Sequence, residues 1–303
     1  MKFHLKSAAK INLTLDILSR RADGYHELAS IVHTLGIWDE IELETTTGEA
    51  ISFSCNVGEL SGDDNLCVRA VQMWNEATGD DFGARIHLEK RIPTGAGLGG
   101  GSGNAAAILL ALNRATTVER TPEKLREIGA KLGADVPLFL EGGAVLMEGI
   151  GEKITPLAPL SGWVLVTKPE ISFATPAIYR SWDQNQLQSN QDTPCCLEIW
   201  GQRDEKSEVR SVAACIGNDL ERAAAKISDV PAQLVELLRN CGALGAQMSG
   251  SGSACFGIFE TEIEAQKGRE KLALALAKLV PLQNSQLFVA PFCARGLEIL
   301  SAQ

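Results

Sequence analysis

A glycine-rich segment at residues 93–104 is the part of this sequence best suited to chemistry. It reads Pro-Thr-Gly-Ala-Gly-Leu-Gly-Gly-Gly-Ser-Gly-Asn and lies between a strand pattern ending at Ile92 and a helical run over residues 104–114. Glycines let successive backbone N–H groups converge on an anion, and the start of a helix adds free donors and a favourable dipole. The segment therefore predicts a binding site for a phosphate chain such as a triphosphate.

Three better-known patterns fit this segment less well. Gly95, Gly97 and Gly100 satisfy the dinucleotide fingerprint G-x-G-x-x-G, but no second parallel strand ending in an acidic residue is predicted after the helix. No Lys-Ser or Lys-Thr follows the glycines, as a Walker loop requires. Residues 81–83 spell the protein-kinase motif D-F-G, yet they precede the glycines, and no H-R-D loop exists. A nicotinamide-dependent oxidoreductase stays open as an alternative from another enzyme class.

Two side chains elsewhere have the chemistry of a general base and its charged partner. Asp135 lies in the segment Gly-Ala-Asp-Val-Pro, and a carboxylate can take a proton from an alcohol that attacks phosphorus. Lys10 shares one face of a predicted strand with Asn12, so both side chains could point into one cleft. By residue type alone, a residue that caps a helix or closes a turn is the simpler explanation of Asp135, and a solvated strand lysine is that of Lys10.

A few residues have the chemistry needed to bind a nucleobase. Tyr25, His26 and Tyr179 offer ring faces for stacking, and Asn12 and His26 offer hydrogen bonds to the edge of a base. Taken singly, such residues are more often structural. The second glycine-rich turn, at residues 248–253, is explained equally well by ligand contact and by entry into a strand.

The hydrophobic pattern predicts the strands and helices that would position these residues. Alternation over residues 11–17 predicts a half-buried strand, and residues 41–45 and 51–54 predict a hairpin. Residues 63–74 predict an amphipathic helix, and Thr121 before Pro122 predicts a helix that ends at Gly133. Further strands are predicted at residues 86–92, 144–148, 163–167, 254–259 and 286–290, and further helices at 232–241 and 262–278.

The second half of the chain begins at a cluster of helix and strand breakers. Pro156, Pro159 and Gly162 predict a boundary near residues 155–162, which gives two domains, residues 1–158 and 159–303. The polar segment 181–211 predicts a surface excursion, helical in part, with no recognisable chemistry.

Bulk composition excludes several classes of protein. The 28 Lys and Arg against 38 Asp and Glu give a net charge of −10, which argues against nucleic acid or an anionic membrane as the main partner. Residues 1–18 alternate polar and apolar residues, as a first strand does and a signal peptide does not, so a cytoplasmic location is expected. The eight cysteines have no Cys-x-x-Cys spacing, which predicts free thiols and no metal bound by the protein alone.

Several segments, taken in chain order, resemble the diphosphocytidyl-methylerythritol kinases, a branch of the GHMP kinase superfamily. The glycine loop is similar to the phosphate loop of that superfamily, and Arg-Ala-Asp-Gly-Tyr-His at residues 21–26 is specific to this branch. The other matching segments are residues 9–13, 133–137, 149–152, 175–179, 218–221 and 248–253. The resemblance covers nearly the whole chain.

The resemblance implies a fold and a reaction. The fold is of the α/β (α+β) class, with an N-terminal ATP-loop domain, a smaller C-terminal ferredoxin-like α/β sandwich, and the active site in the cleft between them. The implied reaction is phosphorylation by ATP, with Mg²⁺, of the 2-hydroxyl of 4-diphosphocytidyl-2-C-methyl-D-erythritol in the non-mevalonate route to isoprenoid precursors. The small-molecule substrate is the implied partner, and the chain could act as a monomer or a homodimer.

The resemblance also implies roles for individual residues. Asp135 becomes the general base and Lys10 its catalytic partner. The residues implied to bind ATP are Pro93, Gly95, Ala96, Gly97, Leu98, Gly99, Gly100, Gly101, Ser102, Gly103 and Asn65. Those implied to bind the substrate are Asn12, Tyr25, His26, Thr175, Tyr179, Gly250, Ser251 and Gly252. Gly103 stands where the family usually has a second serine, which removes one hydroxyl that could serve a metal.

Two rival functions stay open beside the oxidoreductase. Another GHMP kinase would act on mevalonate, homoserine or a sugar, but residues 21–26 and Tyr179 favour a cytidine-bearing substrate. A non-catalytic binding protein on the kinase fold would not need both Lys10 and Asp135.

Overall fold

The computed structural model describes residues 1–48, 50–60, 62, 64–202 and 208–303. Within these residues the chain forms thirteen strands and ten α-helices. The strands are β1 (Lys2–Asn12), β2 (Thr14–Arg20), β3 (His26–Thr47), β4 (Ile51–Cys55), β5 (Phe82–Glu89), β6 (Ala144–Gly149), β7 (Lys153–Leu157), β8 (Trp163–Lys168), β9 (Gly217–Asn218), β10 (Gly245–Met248), β11 (Cys255–Phe259), β12 (Gln286–Pro291) and β13 (Leu297–Ala302). The helices are α1 (Leu66–Thr78), α2 (Gly100–Ala115), α3 (Pro122–Leu132), α4 (Val136–Glu141), α5 (Thr175–Gln184), α6 (Asp192–Gln202), α7 (Glu208–Ala213), α8 (Asp219–Ala224), α9 (Val230–Asn240) and α10 (Glu262–Leu276).

The first sheet is built around β3, a strand of 22 residues that pairs with β1, β2, β5 and β6 along its length. Helices α1 to α4 pack against one face of this sheet in a continuous apolar core. The expected caps are present: the Asn65 side chain accepts from Cys67 N at the start of α1, and Thr121 accepts from Lys124 N at the start of α3. Asp63, the predicted first residue of α1, lies outside the described residues.

The predicted hairpin between residues 41–45 and 51–54 is wrong. β4 pairs in parallel with β5, and β5 takes the place beside β3. Helix α1 connects β4 to β5, and a parallel pair needs such a crossover connection. The sequence pattern marks each strand correctly but does not specify its partner.

The second sheet has the strand order β10–β11–β8–β12 and is antiparallel throughout. Its main elements follow the order strand, helix, strand, strand, helix, strand, with α9 and α10 as the packed helices, which is the ferredoxin-like arrangement. The smaller C-terminal α/β sandwich expected from the resemblance is therefore confirmed.

A second apolar core lies between the two sheets and corrects the expectation of a half-buried strand over residues 11–17. Ile11 and Leu13 pack into this core together with Val166 and Phe256 of the second sheet. The alternating polar residues Asn12, Thr14 and Asp16 are buried as well. The predicted single strand is the end of β1 and the start of β2, with a break at Leu13. Both strands are covered on both faces here, because the second sheet and α6 pack against them.

The polar segment 181–211 is not a purely surface excursion. Trp182 of α5, and Cys196 and Trp200 of α6, are buried in the cores. Cys196 and Trp200 are four residues apart and so share one helix face, a sparse apolar pattern that the surrounding polar residues conceal. Residues 203–207 of this segment lie outside the described residues.

The second half of the chain also contributes two strands to the first sheet. β9 pairs in parallel with β2, and β13 returns to pair with β1. No described helix is long and apolar enough to cross a membrane.

Candidate active site

The glycine loop forms a cradle at the start of α2. Gly95, Gly97 and Gly99 have φ angles of +61°, +73° and +70°, a backbone region that other residues rarely adopt. Helix α2 begins at Gly100 and is 16 residues long, so its N-terminal dipole points at the loop. A cavity of about 400 Å³, the phosphate-loop cavity, is lined by residues 93–102 together with Asn65 and Lys90.

Hydrogen bonds from distant segments fix the carbonyl groups of this loop. The Leu98 carbonyl accepts from Lys10 N at 2.9 Å, and the Ala96 carbonyl accepts from Ala254 N at 3.2 Å. The Gly97 carbonyl accepts from the Ser249 hydroxyl at 3.0 Å. The loop is thus held on one side by β1 and on the other by the second glycine turn.

Lys10 and Asp135 meet beside the loop. Lys10 Nζ lies 3.5 Å from Asp135 Oδ2 and donates to Asn12 Oδ1 at 2.7 Å. The Lys10 side chain is 6% exposed and that of Asp135 is 33% exposed, so the carboxylate is the more accessible of the two. Asp135 occupies the N-cap position of α4, but its side chain makes no capping hydrogen bond, so side-chain capping does not explain this residue.

A central cavity of about 250 Å³ brings Lys10 and Asp135 together with other predicted residues. The predicted residues that also line it are Asn12, Gly95, Gly97, Gly99, Thr175, Tyr179, Gly250, Ser251 and Gly252. Ser30 and Phe173 line it as well, and the sequence patterns did not single them out. Ser30 accepts from Asn12 Nδ2 at 2.8 Å and so orients the amide beside Lys10.

A third, aromatic cavity of about 490 Å³ adjoins the central one and shares Thr175 and Tyr179 with it. Its walls include Tyr25 and His26, and the rings of His26 and Tyr179 are stacked with centroids 5.0 Å apart. Tyr25 is 62% exposed, so its ring face is available. Burial and, second, the negative charge of Asp135 raise the pKa of Tyr179 to about 12, so its hydroxyl stays protonated at neutral pH.

The second glycine turn approaches Lys10 closely. A Cβ atom at Gly250 would lie 3.0 Å from Asn12 Oδ1 and 3.5 Å from Lys10 Nζ, and its φ is +55°. The Asn218 side-chain amide donates to the carbonyl groups of Met248 and Gly250, both at 2.8 Å. The sequence did not predict that Asn218 fixes the second glycine turn, although residues 218–221 are part of the resemblance.

Two predicted ATP-binding residues are placed differently from the rest. Gly103 is buried and does not line the phosphate-loop cavity: a Cβ atom there would lie 3.2 Å from the Ala8 carbonyl oxygen and 3.3 Å from the Phe139 ring. Asn65 lines the cavity, but its side chain accepts from Cys67 N and donates to the Leu60 carbonyl. Its side-chain amide is therefore already engaged in capping α1.

Comparisons with known proteins agree with this geometry. The family described as GHMP kinases N terminal domain matches residues 65–143, and GHMP kinases C terminal matches residues 202–278. The 4-diphosphocytidyl-2-C-methyl-D-erythritol kinase of Alkaliphilus metalliredigens is 38% identical over 272 residues, which covers 89% of this chain and 92% of the relative. The enzyme of the same name from Desulfitobacterium hafniense is 41% identical over 262 residues, covering 86% and 88%.

The chain belongs to the 4-diphosphocytidyl-2-C-methyl-D-erythritol kinase family of the GHMP kinases. A crystal structure of 4-(cytidine 5'-diphospho)-2C-methyl-D-erythritol kinase is similar to it with a TM-score of 0.77 and 32% identity, covering 97% of this chain and 100% of that one. A homoserine kinase from Cytophaga hutchinsonii has a TM-score of 0.76 at 17% identity, covering 99% and 97%, and shares the fold.

Membership of this family makes the chain a small-molecule kinase that uses ATP. The alternative of a nicotinamide-dependent oxidoreductase is not supported. Helix α2 is followed by α3 and not by a parallel strand, so the βαβ unit of a dinucleotide site is missing from residues 100–132.

Proposed function

We propose that this chain transfers the γ-phosphoryl group of ATP to the 2-hydroxyl of 4-diphosphocytidyl-2-C-methyl-D-erythritol. The observation that carries the proposal is the position of the Lys10–Asp135 pair, on a cavity between the glycine loop and the aromatic residues. A phosphate donor on one side and a base-bearing acceptor on the other would place the reacting atoms at this pair. The names of the 38–41% identical relatives support the same substrate.

Asp135 is proposed to take the proton from the attacking hydroxyl. Lys10, with its ammonium group 3.5 Å from the carboxylate, would stabilise negative charge on the transferring group. Transfer is direct and in line, without a covalent enzyme intermediate, and positioning supplies most of the rate. The N–H groups at the start of α2 would hold the phosphates.

Magnesium is proposed to accompany ATP. Mg²⁺ prefers oxygen ligands and usually combines one or two protein groups with phosphate oxygens and water. Ser102 lines the phosphate-loop cavity, and its hydroxyl group has this chemistry. When bound, the ion would neutralise charge on the phosphates.

The aromatic cavity is proposed to hold cytosine. Tyr25 and Tyr179 can stack on the base, and His26 can bond to its edge. The turn over residues 250–252 would then lie along the diphosphate, with Thr175 and Ser251 already joined through their hydroxyl groups at 2.8 Å.

The domain boundary between residues 158 and 159 is part of the proposal. It is supported by the change of sheet, since β7 ends at Leu157 in the first sheet and β8 begins at Trp163 in the second. A cytoplasmic location, and action as a monomer or homodimer, stay predictions.

The proposal is tested by phosphorylation of the cytidyl substrate with ATP and Mg²⁺, following ADP release. Mevalonate and homoserine serve as alternative acceptors. We expect turnover of the cytidyl substrate alone, and a fall in kcat of about 10²- to 10⁴-fold in Asp135→Asn, because general-base catalysis is lost. Turnover of another acceptor instead would support a kinase activity but contradict the proposed substrate.

A matched control is available within the chain. Asp229 also stands before Val-Pro at a helix start, with φ −82° and ψ −8° against −80° and −10° at Asp135, and without a capping hydrogen bond. It lines none of the three cavities. Asp229→Asn should keep the full kcat, and equal losses in both variants would contradict the role of Asp135.

A further inference from the structure

One ring nitrogen of His26 is already engaged by a carboxylate. His26 Nε2 lies 2.8 Å from Oδ1 of Asp183 in α5, and Asp183 Oδ2 lies 3.5 Å from the Arg20 guanidinium. The His26 side chain is 6% exposed, so water competes little for this bond. Sequence reasoning did not single out Asp183, which stands 157 residues from His26 along the chain.

This contact determines where the ring carries its proton. An ionised carboxylate only accepts hydrogen bonds, so Nε2 must be the donor. In a neutral imidazole the other nitrogen, Nδ1, is then an acceptor. Among the described residues, no hydrogen bond to Nδ1 of His26 is found, while the ring itself lines the aromatic cavity against Tyr179.

An acceptor in this cavity distinguishes the two pyrimidines. Cytosine in a nucleotide has a single donor group on its base, the 4-amino group, whereas uracil has a carbonyl oxygen at that position. If cytosine binds here, Nδ1 can pair only with the 4-amino group. Uracil in the same pose would present its 4-carbonyl oxygen to Nδ1, so two lone pairs would face each other, and its own donor, N3–H, lies one ring position away.

We infer that Asp183 is a positioning residue that fixes the His26 tautomer, and that this tautomer makes the site select cytidine over uridine in the diphosphate-linked substrate. The inference rests on the proposed function for the identity of the base. The tautomer itself depends only on the contact between His26 and Asp183.

The tautomer is measured without any substrate. Long-range ¹H–¹⁵N spectra of the ¹⁵N-histidine protein at about pH 8, above the ordinary imidazole pKa, report the protonation of each ring, and His26→Gln assigns the signal among the four histidines. We expect a proton on Nε2 and none on Nδ1, and a mixed or shifted pattern in Asp183→Ala. A proton on Nδ1 of the wild-type ring would overturn the inference.

Selectivity is measured by comparing the cytidyl substrate with its uridyl analogue. We expect Asp183→Ala to reduce the ratio of the two kcat/KM values by about 10- to 100-fold, because one oriented hydrogen bond and the penalty for an unpaired group are lost. The change should fall on KM for the cytidyl substrate more than on kcat. A general loss of structure would lower kcat/KM for both substrates by the same factor and leave the ratio unchanged.

Two further variants separate the effect of the His26–Asp183 contact from that of the Arg20–Asp183 ion pair and from a folding defect. Arg20→Gln removes the second partner of Asp183 and leaves the contact with His26, so the selectivity should persist. Asp183→Leu has a side chain of similar size that accepts no hydrogen bond, so it replaces Asp183→Ala if that variant does not fold, and it should also reduce the ratio. An unchanged ratio in a folded Asp183 variant overturns the inference. A wild type that phosphorylates neither pyrimidine substrate rejects the proposed function, while the spectra still test the tautomer.

Discussion

Lys10 links the parts of the candidate site at the scale of single residues. Its ammonium group reaches Asn12 and Asp135, its backbone N–H donates to the glycine loop at Leu98, and its Cγ lies 2.9 Å from where a Cβ at Gly99 would be. One residue therefore contacts the glycine loop and places a positive charge beside Asp135, at the proposed reacting centre. The glycine at position 99 is required for this close approach.

Replacing Lys10 tests the charge separately from the packing. Lys10→Met keeps the alkyl chain, and we expect kcat to fall by about 10²- to 10³-fold, as when one preorganised donor to the transition state is removed. ATP affinity, measured by calorimetry, should change much less. Lys6→Met on the same strand, where Lys6 pairs with Glu40 at the surface, should keep kcat. A Lys10→Met enzyme with wild-type turnover would exclude the proposed role.

At the scale of elements, the two glycine turns interlock. The Ser249 hydroxyl donates to Gly97, Asn218 holds the second turn by two carbonyl groups, and Glu221 accepts from Met248 N at 2.8 Å. Each turn therefore depends on the other for its shape. The shape of the glycine loop therefore depends on residues from both halves of the chain and not on one strand–helix unit alone.

A methyl group inserted between the turns should separate them. A Cβ at Gly97 would lie 2.2 Å from the Ser249 carbonyl oxygen at a φ of +73°. We expect Gly97→Ala to lower the free energy of unfolding by on the order of 1–3 kcal/mol, and to weaken ATP binding at least about tenfold.

Chemical denaturation and calorimetry measure the two effects at Gly97. Gly201→Ala is the control, because no atom lies within 4 Å of a Cβ at Gly201 and this residue is exposed in the last turn of α6. Wild-type ATP affinity in a folded Gly97→Ala protein would show that the turns do not need this contact.

At the scale of the whole molecule, two buried carboxylates join the halves of the chain. Asp16 of β2 accepts from the N–H groups of Asp192 and Thr193 at the start of α6. Asp219 of α8 accepts from Ile17 N of β2 at 2.9 Å. Burial raises the pKa of Asp16, the hydrogen bonds from Thr193 and Asp192 oppose this, and the charge of Asp219 adds to it.

The raised pKa gives stability a definite pH dependence. Because the Asp16 pKa in the folded state lies above its ordinary value of 3.8, the folded protein holds this proton where the unfolded chain has lost it. The contribution of Asp16 to stability is complete below that ordinary value and is lost as pH rises through the raised pKa. Asp16→Asn removes this dependence. The loss in the free energy of unfolding that the substitution causes should therefore be larger at about pH 4.5 than at about pH 7.5.

Urea unfolding at the two pH values measures the difference. Glu123→Gln is the comparison, because hydrogen bonds from its own backbone N–H and from Thr121 lower the pKa of the exposed Glu123. Its effect on the free energy of unfolding should therefore depend on pH in the opposite direction. A destabilisation by Asp16→Asn that grows with pH would contradict the assignment.

Much of the local structure follows from the sequence. The glycine loop between a strand and a helix, the Thr121 cap and the helix end at Gly133 all depend on residues within a few positions of one another. Backbone freedom, capping groups and hydrophobic period act over that range, so the pattern specifies them. The resemblance added the fold class and the family, and both are confirmed.

What the sequence alone determined is therefore local: a glycine loop between a strand and a helix, and candidate residues of the right chemical types. Only the tertiary structure decided which of them meet. Asn12 and Ser249 are 237 residues apart, and His26 and Asp183 are 157 apart. β4 pairs with β5, although β3 is nearer to it in the sequence. Such pairings depend on how whole sheets pack and which faces they bury, and no local pattern of residue types contains that information.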